Sequence, residues 1–332
     1  MTTNRIPLTI IGGYLGAGKT TLVNHILRHN AGLRIAIIVN DFGSINIDAE
    51  LIESQDGDAI NLANGCVCCT LGSSLVLTLQ QLTERDAPPE YILIEASGVA
   101  DPFNLGQYGH TSSLQHNGVI VVADAETVRA KAQDKYVGQT VKRQLRGADL
   151  ILLNKVDLVS PQNLKDICTW LKELVSDARV VETSYGVVPL PLLLGDVRTG
   201  GAGRAANPAG HHHSVEYDTW SYTGDQPLDR GAFHGMVEAL PEGVIRAKGI
   251  LYLGDDADHR TIFQLVGKRW SLKPGGGWGD AQPRSQLVMI GLPHSIDAEW
   301  LIEVLEPRMP SPTDGSWAGC DRDAAKGNGV VS

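Results

Sequence analysis

The chain has 332 residues and no run of 18 apolar residues, so nothing in it reads as a membrane-spanning helix. It also lacks an excess of basic charge. Its 28 Lys and Arg are outnumbered by 38 Asp and Glu, giving a formal net charge of −10. That sign argues against a protein that holds nucleic acid by neutralising phosphates. It suits a soluble protein and is compatible with cationic ligands such as metal ions. The first seven residues lack the apolar core of a secretory signal, and the short apolar run at residues 8–11 leads straight into a glycine-rich loop. Cysteine is scarce and poorly spaced for a disulfide framework. Of the five, Cys66, Cys68 and Cys69 fall within four residues, while Cys168 and Cys320 stand alone. A reducing, cytoplasmic compartment is expected. There is no internal repeat, and the six Trp are scattered as packing residues.

Gly13-Tyr14-Leu15-Gly16-Ala17-Gly18-Lys19-Thr20-Thr21 fits G-x-x-x-x-G-K-[ST]. An apolar run at residues 8–11 precedes it and a helical pattern at residues 21–29 follows it, which is the strand–loop–helix setting of a phosphate-binding loop. Glycines let backbone N–H groups turn inward around a phosphate, and the helix N-terminus adds partial positive charge. Gly13, Gly16, Ala17, Gly18 and Thr21 are expected to line the phosphates. Lys19 is expected to reach the β- and γ-phosphates, and Thr20 to offer its hydroxyl to Mg²⁺.

Further β-branched runs follow at residues 34–39, 59–62, 91–94, 118–123, 149–153 and 178–181, with helical periodicity at 70–82 and 164–174. Strands alternating with helices, with polar motifs at strand ends, predict a doubly wound, mostly parallel α/β sheet over residues 1–195. Residues 196–213 are a Gly- and Ala-rich linker ending in His211-His212-His213. Residues 214–306 predict a smaller α+β domain, with a last helix at 297–305 that Asp297 can cap. Residues 307–332 have the composition of a disordered tail.

Four strand ends carry chemistry. Asn154-Lys155-Val156-Asp157 matches the N-K-x-D pattern of guanine recognition. The Asp157 carboxylate can accept from N1–H and the 2-amino group of guanine. Adenine offers neither, and a buried Asp157 would be left unpaired. Glu95-Ala96-Ser97-Gly98 follows a strand, where Glu95 can hold the metal or orient the attacking water and the Gly98 N–H can meet a γ-phosphate. Asp41 and Asp124 also stand at strand ends, where each either contacts Mg²⁺ or caps the next segment.

Cys66, Cys68 and Cys69 offer soft thiolates that favour Zn²⁺ and other late transition metals. They supply at most three ligands, and an incomplete shell suits a transfer site better than a closed structural one. Buried small side chains, or a redox pair of Cys66 and Cys68, are the alternatives. The three histidines either capture metal or are only a solvated loop. Cys168 is expected in the core and Cys320 as an idle thiol.

With these residues in place the chain resembles the CobW-type P-loop GTPases, relatives of the nickel-insertion GTPases. The phosphate loop, Asn40-Asp41-Phe42-Gly43, Asn64-Gly65-Cys66-Val67-Cys68-Cys69, Glu95-Ala96-Ser97-Gly98-Val99-Ala100-Asp101-Pro102 and Asn154-Lys155-Val156-Asp157 carry the resemblance, with Arg246-Ala247-Lys248-Gly249 in the second domain. It implies slow hydrolysis of GTP with Mg²⁺, coupled to metal binding at the C-x-C-C site and delivery to a client metalloprotein. Zinc is the first candidate, with cobalt, nickel and iron behind it. The other reading is a GTP-dependent activator or assembly factor for a metalloenzyme of the nitrile hydratase or cobalamin-pathway type, its cysteines structural or redox-active. Two positions depart from the family pattern. Val39 stands where many relatives carry a Glu, and Asp41 where the motif has a longer Glu. Monomer and dimer stay equally open.

Overall fold

The structure is a computed structural model that describes residues 5–30, 32–39, 59–61, 71–109, 111, 113–195 and 217–306. Seven strands form the first sheet: β1 (Ile6–Gly12), β2 (Ile35–Val39), β3 (Ala59–Asn61), β4 (Tyr91–Glu95), β5 (Leu114–Asp124), β6 (Leu150–Asn154) and β7 (Arg179–Glu182). Their order is β3-β2-β4-β1-β5-β6-β7, and every pair is parallel. Burial on both faces explains why β2, β4 and β6 are apolar runs and not alternating ones.

Leu8, Ile10, Ile92, Ile94, Val121 and Ile151 pack toward one side. There they meet α2 (Leu71–Thr83), α4 (Val128–Gln133), α5 (Gly138–Arg146) and α6 (Pro161–Leu174), which follow α1 (Lys19–Arg28) and precede α7 (Leu190–Leu194); the short α3 (Pro102–Gly106) sits after β4. On the other side Ile11, Ile37, Leu93, Ile120 and Leu152 pack with Leu22, Val23 and Ile26 of α1 and Leu192, Leu193 and Leu194 of α7. Ile245 and Ile290, from the second sheet, complete that core.

The second sheet is antiparallel, in the order β11-β10-β9-β12-β8. Its strands are β8 (Asp218–Gly224), β9 (Val244–Tyr252), β10 (His259–Val266), β11 (Arg269–Gly277) and β12 (Ser285–Gly291). Two helices, α8 (Arg230–Ala239) and α9 (Ala298–Leu305), build its own core around Phe233, Phe263, Met289 and Leu301. The expected cap is present: the Asp297 side chain accepts from the Trp300 N–H at 3.0 Å.

β5 is longer than its apolar run predicts. β5 runs from Leu114 to Asp124, four residues earlier than the apolar run at 118–123. Between Leu8↔His116 and Ile10↔Val119 it carries one extra residue, a bulge with Gly118 at φ +113°. The bulge holds a fully buried Asn117, whose Nδ2 donates to the Leu194 carbonyl at 3.1 Å and to Thr9 Oγ1 at 3.3 Å, and bonds the Tyr91 hydroxyl. Cys168 is half-buried on α6, not fully in the core; burial and the Glu182 carboxylate push its thiol up to about 11.

Candidate functional site

Parallel strands leave their carboxyl ends on one edge, so the polar residues after each strand meet there. In sheet order the edge presents Val39 of β2, Glu95 of β4, Gly12 of β1, Asp124 of β5 and Asn154 of β6. Pairing of Ile11 with Glu95 and of Asp124 with Asn154 puts the candidate motifs level with the start of the glycine-rich loop.

That loop leaves β1 through glycines that no other residue could replace cheaply. Gly13 has φ +134°, and a Cβ there would run into the Val122 carbonyl of β5. Gly16 and Gly18 are also left-handed, at φ +77° and +104°. The chain then enters α1 at Lys19, which is buried in the first turn. Ala17 is buried and Thr21 exposed. The Thr20 hydroxyl donates to Glu95 Oε1 at 3.1 Å, and Glu95 is 3% exposed. A hydroxyl and a carboxylate oxygen, both near a helix N-terminus and a lysine, form a donor set that suits a hydrated Mg²⁺ beside an anion.

The Glu95–Asp101 loop is tied at several points. Ala96 N–H donates to the Ile11 carbonyl at 2.8 Å, and Ala100 N–H to Ser97 O at 2.9 Å. Asp101 caps α3 by accepting from Phe103 N–H at 3.1 Å. Gly98 lies against Leu15 of the phosphate loop; a Cβ on it would sit 2.5 Å from Leu15 Cδ2 and 2.9 Å from Leu15 N. From α5, Gln144 Nε2 donates to the carbonyls of Gly98 at 3.0 Å and Ala100 at 2.8 Å.

Asn154 joins three parts of the edge. Its Nδ2 donates to the Ala17 carbonyl at 3.0 Å, and its Oδ1 accepts from the Gly186 N–H at 3.0 Å. Lys155 takes a left-handed backbone, φ 62°, uncommon for a residue with a side chain. Its ammonium pairs with Asp124 Oδ2 at 2.8 Å. Asp124 thus serves as a partner of Lys155 and caps the next turn through Glu126 N–H at 2.9 Å. Burial works to raise the Asp124 carboxyl, but the Lys155 ammonium and the Glu126 N–H bring it below its ordinary value. Asp157, the residue expected to accept from guanine, stands exposed in the short turn Val156–Leu158 that follows β6.

Asp41, Cys66, Cys68, Cys69 and His211 to His213 lie outside the described residues. Among the described residues no group of three or more His, Cys, Asp or Glu is placed to hold a metal ion. Val39 is a buried strand residue with an apolar role in the core of α1 and α7. Two contributors had no sequence signal: Gln144, on a helix of only nine residues, and the loop around Gly186, reached only through the short strand β7.

The chain is similar to known proteins over both halves. The family described as "CobW/HypB/UreG, nucleotide-binding domain" matches residues 7–182, and "Cobalamin synthesis protein cobW C-terminal domain" matches residues 217–307. A protein named "Zinc chaperone CobW" from Sinorhizobium sp is 31% identical over 341 residues, covering 88% of this chain and 94% of that protein. One of the same name from Pseudomonas aeruginosa is 33% identical, covering 86% and 88%. "Zinc chaperone YjiA" of Escherichia coli is 30% identical, covering 87% and 95%. The crystal structure of zinc-bound YjiA GTPase from E. coli aligns over 91% of this chain and 98% of that one, at 25% identity and a TM-score of 0.45. The chain belongs to the CobW/HypB/UreG nucleotide-binding family, here joined to the cobW C-terminal domain.

Proposed function

We propose that this chain is a slow GTPase that carries a transition metal, zinc first, and hands it to a client metalloprotein. The nucleotide half rests chiefly on one observation: the Thr20 hydroxyl against the buried Glu95 carboxylate at 3.1 Å, where the glycine loop enters α1. Lys19, Thr20 and Glu95 are the residues that would face the phosphates and Mg²⁺, with Asp41 as a further ligand. When bound, Mg²⁺ would draw charge from the β- and γ-phosphate oxygens. Gly13, Gly16, Ala17, Gly18 and Thr21 would cradle the phosphates. Glu95 would orient the attacking water, and the Gly98 N–H would hold a γ-phosphate oxygen. Asn154 and Lys155 would brace the base pocket, and Asp157 would accept from guanine.

The metal half rests on Cys66, Cys68 and Cys69 in the sequence and on the names of the zinc-chaperone relatives. The cysteines lie in the chain between Asp41 and Glu95. A γ-phosphate that orders those flanking loops would therefore bias the thiolates, and metal would bias nucleotide affinity by the same factor.

Two measurements test the reading. Nucleotide competition should favour GTP over ATP, by up to the order of 10⁴-fold if Asp157 is the discriminator. A preference for ATP overturns the GTPase. Titration with Zn²⁺ under reducing conditions should show tight binding in the full chain and its loss in C66S/C68S/C69S, with GTP binding kept. Retained tight binding in the triple variant would move the metal site elsewhere. Metal affinity identical with GTP analogue, GDP and no nucleotide would remove the coupling.

A further inference from the structure

Gln144 is a buried polar side chain with a job to explain. It is 2% exposed, on the inner face of α5 between Val141 and Leu145 of the core. A side-chain amide offers two N–H donors. Both find carbonyls of one loop, Gly98 O at 3.0 Å and Ala100 O at 2.8 Å. Neither residue lies in a helix or strand, and Gly98 is buried, so without Gln144 the Gly98 carbonyl would lose its acceptor role in a site shielded from water, while that of half-buried Ala100 would lose a second tie.

The position of these bonds gives them a consequence. The loop leaves β4 at Glu95 with its first turn held by Ala96 N–H on Ile11 O, and it ends at the Asp101 cap of α3. Gln144 holds the middle. It draws two carbonyls toward α5 and leaves the Gly98 backbone facing Leu15 of the phosphate loop, with no room for a side chain between them. The carbonyl of Gly98 fixes that residue's ψ, and a rotation there would swing the loop as a whole.

We propose that Gln144 is the positioning residue of the γ-phosphate loop. It presets Gly98 at the height of the phosphate loop, so that a nucleoside triphosphate finds its backbone donor in place and a diphosphate gains nothing from it. This rests on the GTPase reading above. It assigns discrimination between GTP and GDP to a side chain that touches neither.

The test compares the wild-type chain with Gln144→Met, similar in shape and without donors, and with Gln144→Asn, an amide one methylene too short to reach both carbonyls. Val141→Ala is the control, since it loosens the same helix without touching the loop. Affinity for a non-hydrolysable GTP analogue and kcat should both fall about 10- to 100-fold in Gln144→Met, with a smaller fall in Gln144→Asn, while GDP affinity stays as in wild type. Val141→Ala should lower thermal stability and leave the ratio of GTP-analogue to GDP affinity unchanged. A folded Gln144→Met with the wild-type ratio and kcat overturns the proposal, as does a ratio that falls equally in Val141→Ala. If neither Gln144 variant folds, amide exchange in the wild type decides: protection at residues 98–101 must rise with the GTP analogue and not with GDP, and equal protection overturns the assignment. Failure of the wild type itself to bind GTP would count against the GTPase reading and is seen before any variant is made.

Discussion

At the residue scale the site is governed by places where a side chain would not fit. Gly98 has an ordinary backbone conformation, yet a Cβ on it would lie 2.9 Å from the Leu15 backbone nitrogen, an atom that cannot rotate away. Gly98→Ala should therefore push the loop off the phosphate loop. The expected result is a folded chain with wild-type GDP affinity and a fall in kcat of about 100-fold, the scale of losing one oxyanion donor. Steady-state hydrolysis with GDP titration checks it, and unchanged kcat would mean that Gly98 makes no contact with the reacting phosphate. Gly13, Gly18, Lys19, Thr20 and Asn154 were legible in the sequence because their chemistry requires fixed spacing. Gln144 was not legible: it lies 46 positions from Gly98, on a helix whose pattern is that of any amphipathic segment. N-K-x-D fixes residue types and spacing, and says nothing about the short turn after β6 in which Asp157 lies exposed.

At the element scale, strands buried on both faces announced themselves as apolar runs, and β2, β4 and β6 stand where those runs do. What stayed hidden was short or irregular. α3, α4 and α7 have only five, six and five residues, too few for a 3.6-residue period to repeat. β11 contains Pro274 and three glycines, a composition that argues against a strand. It survives as an edge, paired among the described residues with β10 alone. α6 starts at Pro161, three residues before its apolar pattern, because Ser160 caps it and accepts from Asn163 N–H. Caps of this kind are local, and α9 gives the cleanest case. Asp297→Ala should cost about 1 kcal/mol of stability, read as a lower urea midpoint at unchanged slope. Nucleotide affinity should not move, since Leu301 and Leu305 of α9 pack, among the described residues, in the second sheet's own core. A shift in GTP affinity would show that the second domain's stability feeds the site.

At the scale of the whole molecule, the second domain takes the place that further crossover helices would occupy on one face of the parallel sheet. Ile245 and Ile290 pack among Leu22, Tyr91 and Leu193, and a polar seam runs beside them. Arg246, fully buried, donates from Nε to Leu192 O at 2.8 Å and from Nη1 to Asn117 O at 3.1 Å. Arg269 Nη1 donates to Asp149 Oδ1 at 2.9 Å, while Asp149 Oδ2 accepts from Val119 N–H at 2.7 Å. Burial pushes the Asp149 carboxyl above its ordinary value of 3.8, although the Val119 N–H, Arg269 and Arg246 all pull it down. A carboxyl raised in the folded chain holds its proton more tightly there than when unfolded. Its contribution to stability is full below 3.8 and is lost as pH rises through the folded value. Arg269→Ala removes the nearest countercharge and moves the folded value higher still. The variant's deficit should therefore grow with pH, small near about pH 4 and about 1–2 kcal/mol near neutrality. Arg269 is 41% exposed, and solvent screening keeps the figure at that modest level. Urea denaturation of both proteins across this range reads the difference directly. Asp149→Asn in the same background has no proton to lose and should flatten the pH dependence. A deficit that is constant with pH would mean that the charge pairing of Asp149 with Arg269 contributes nothing, and that Arg269 acts through its other contacts, such as its bond to the Arg146 carbonyl.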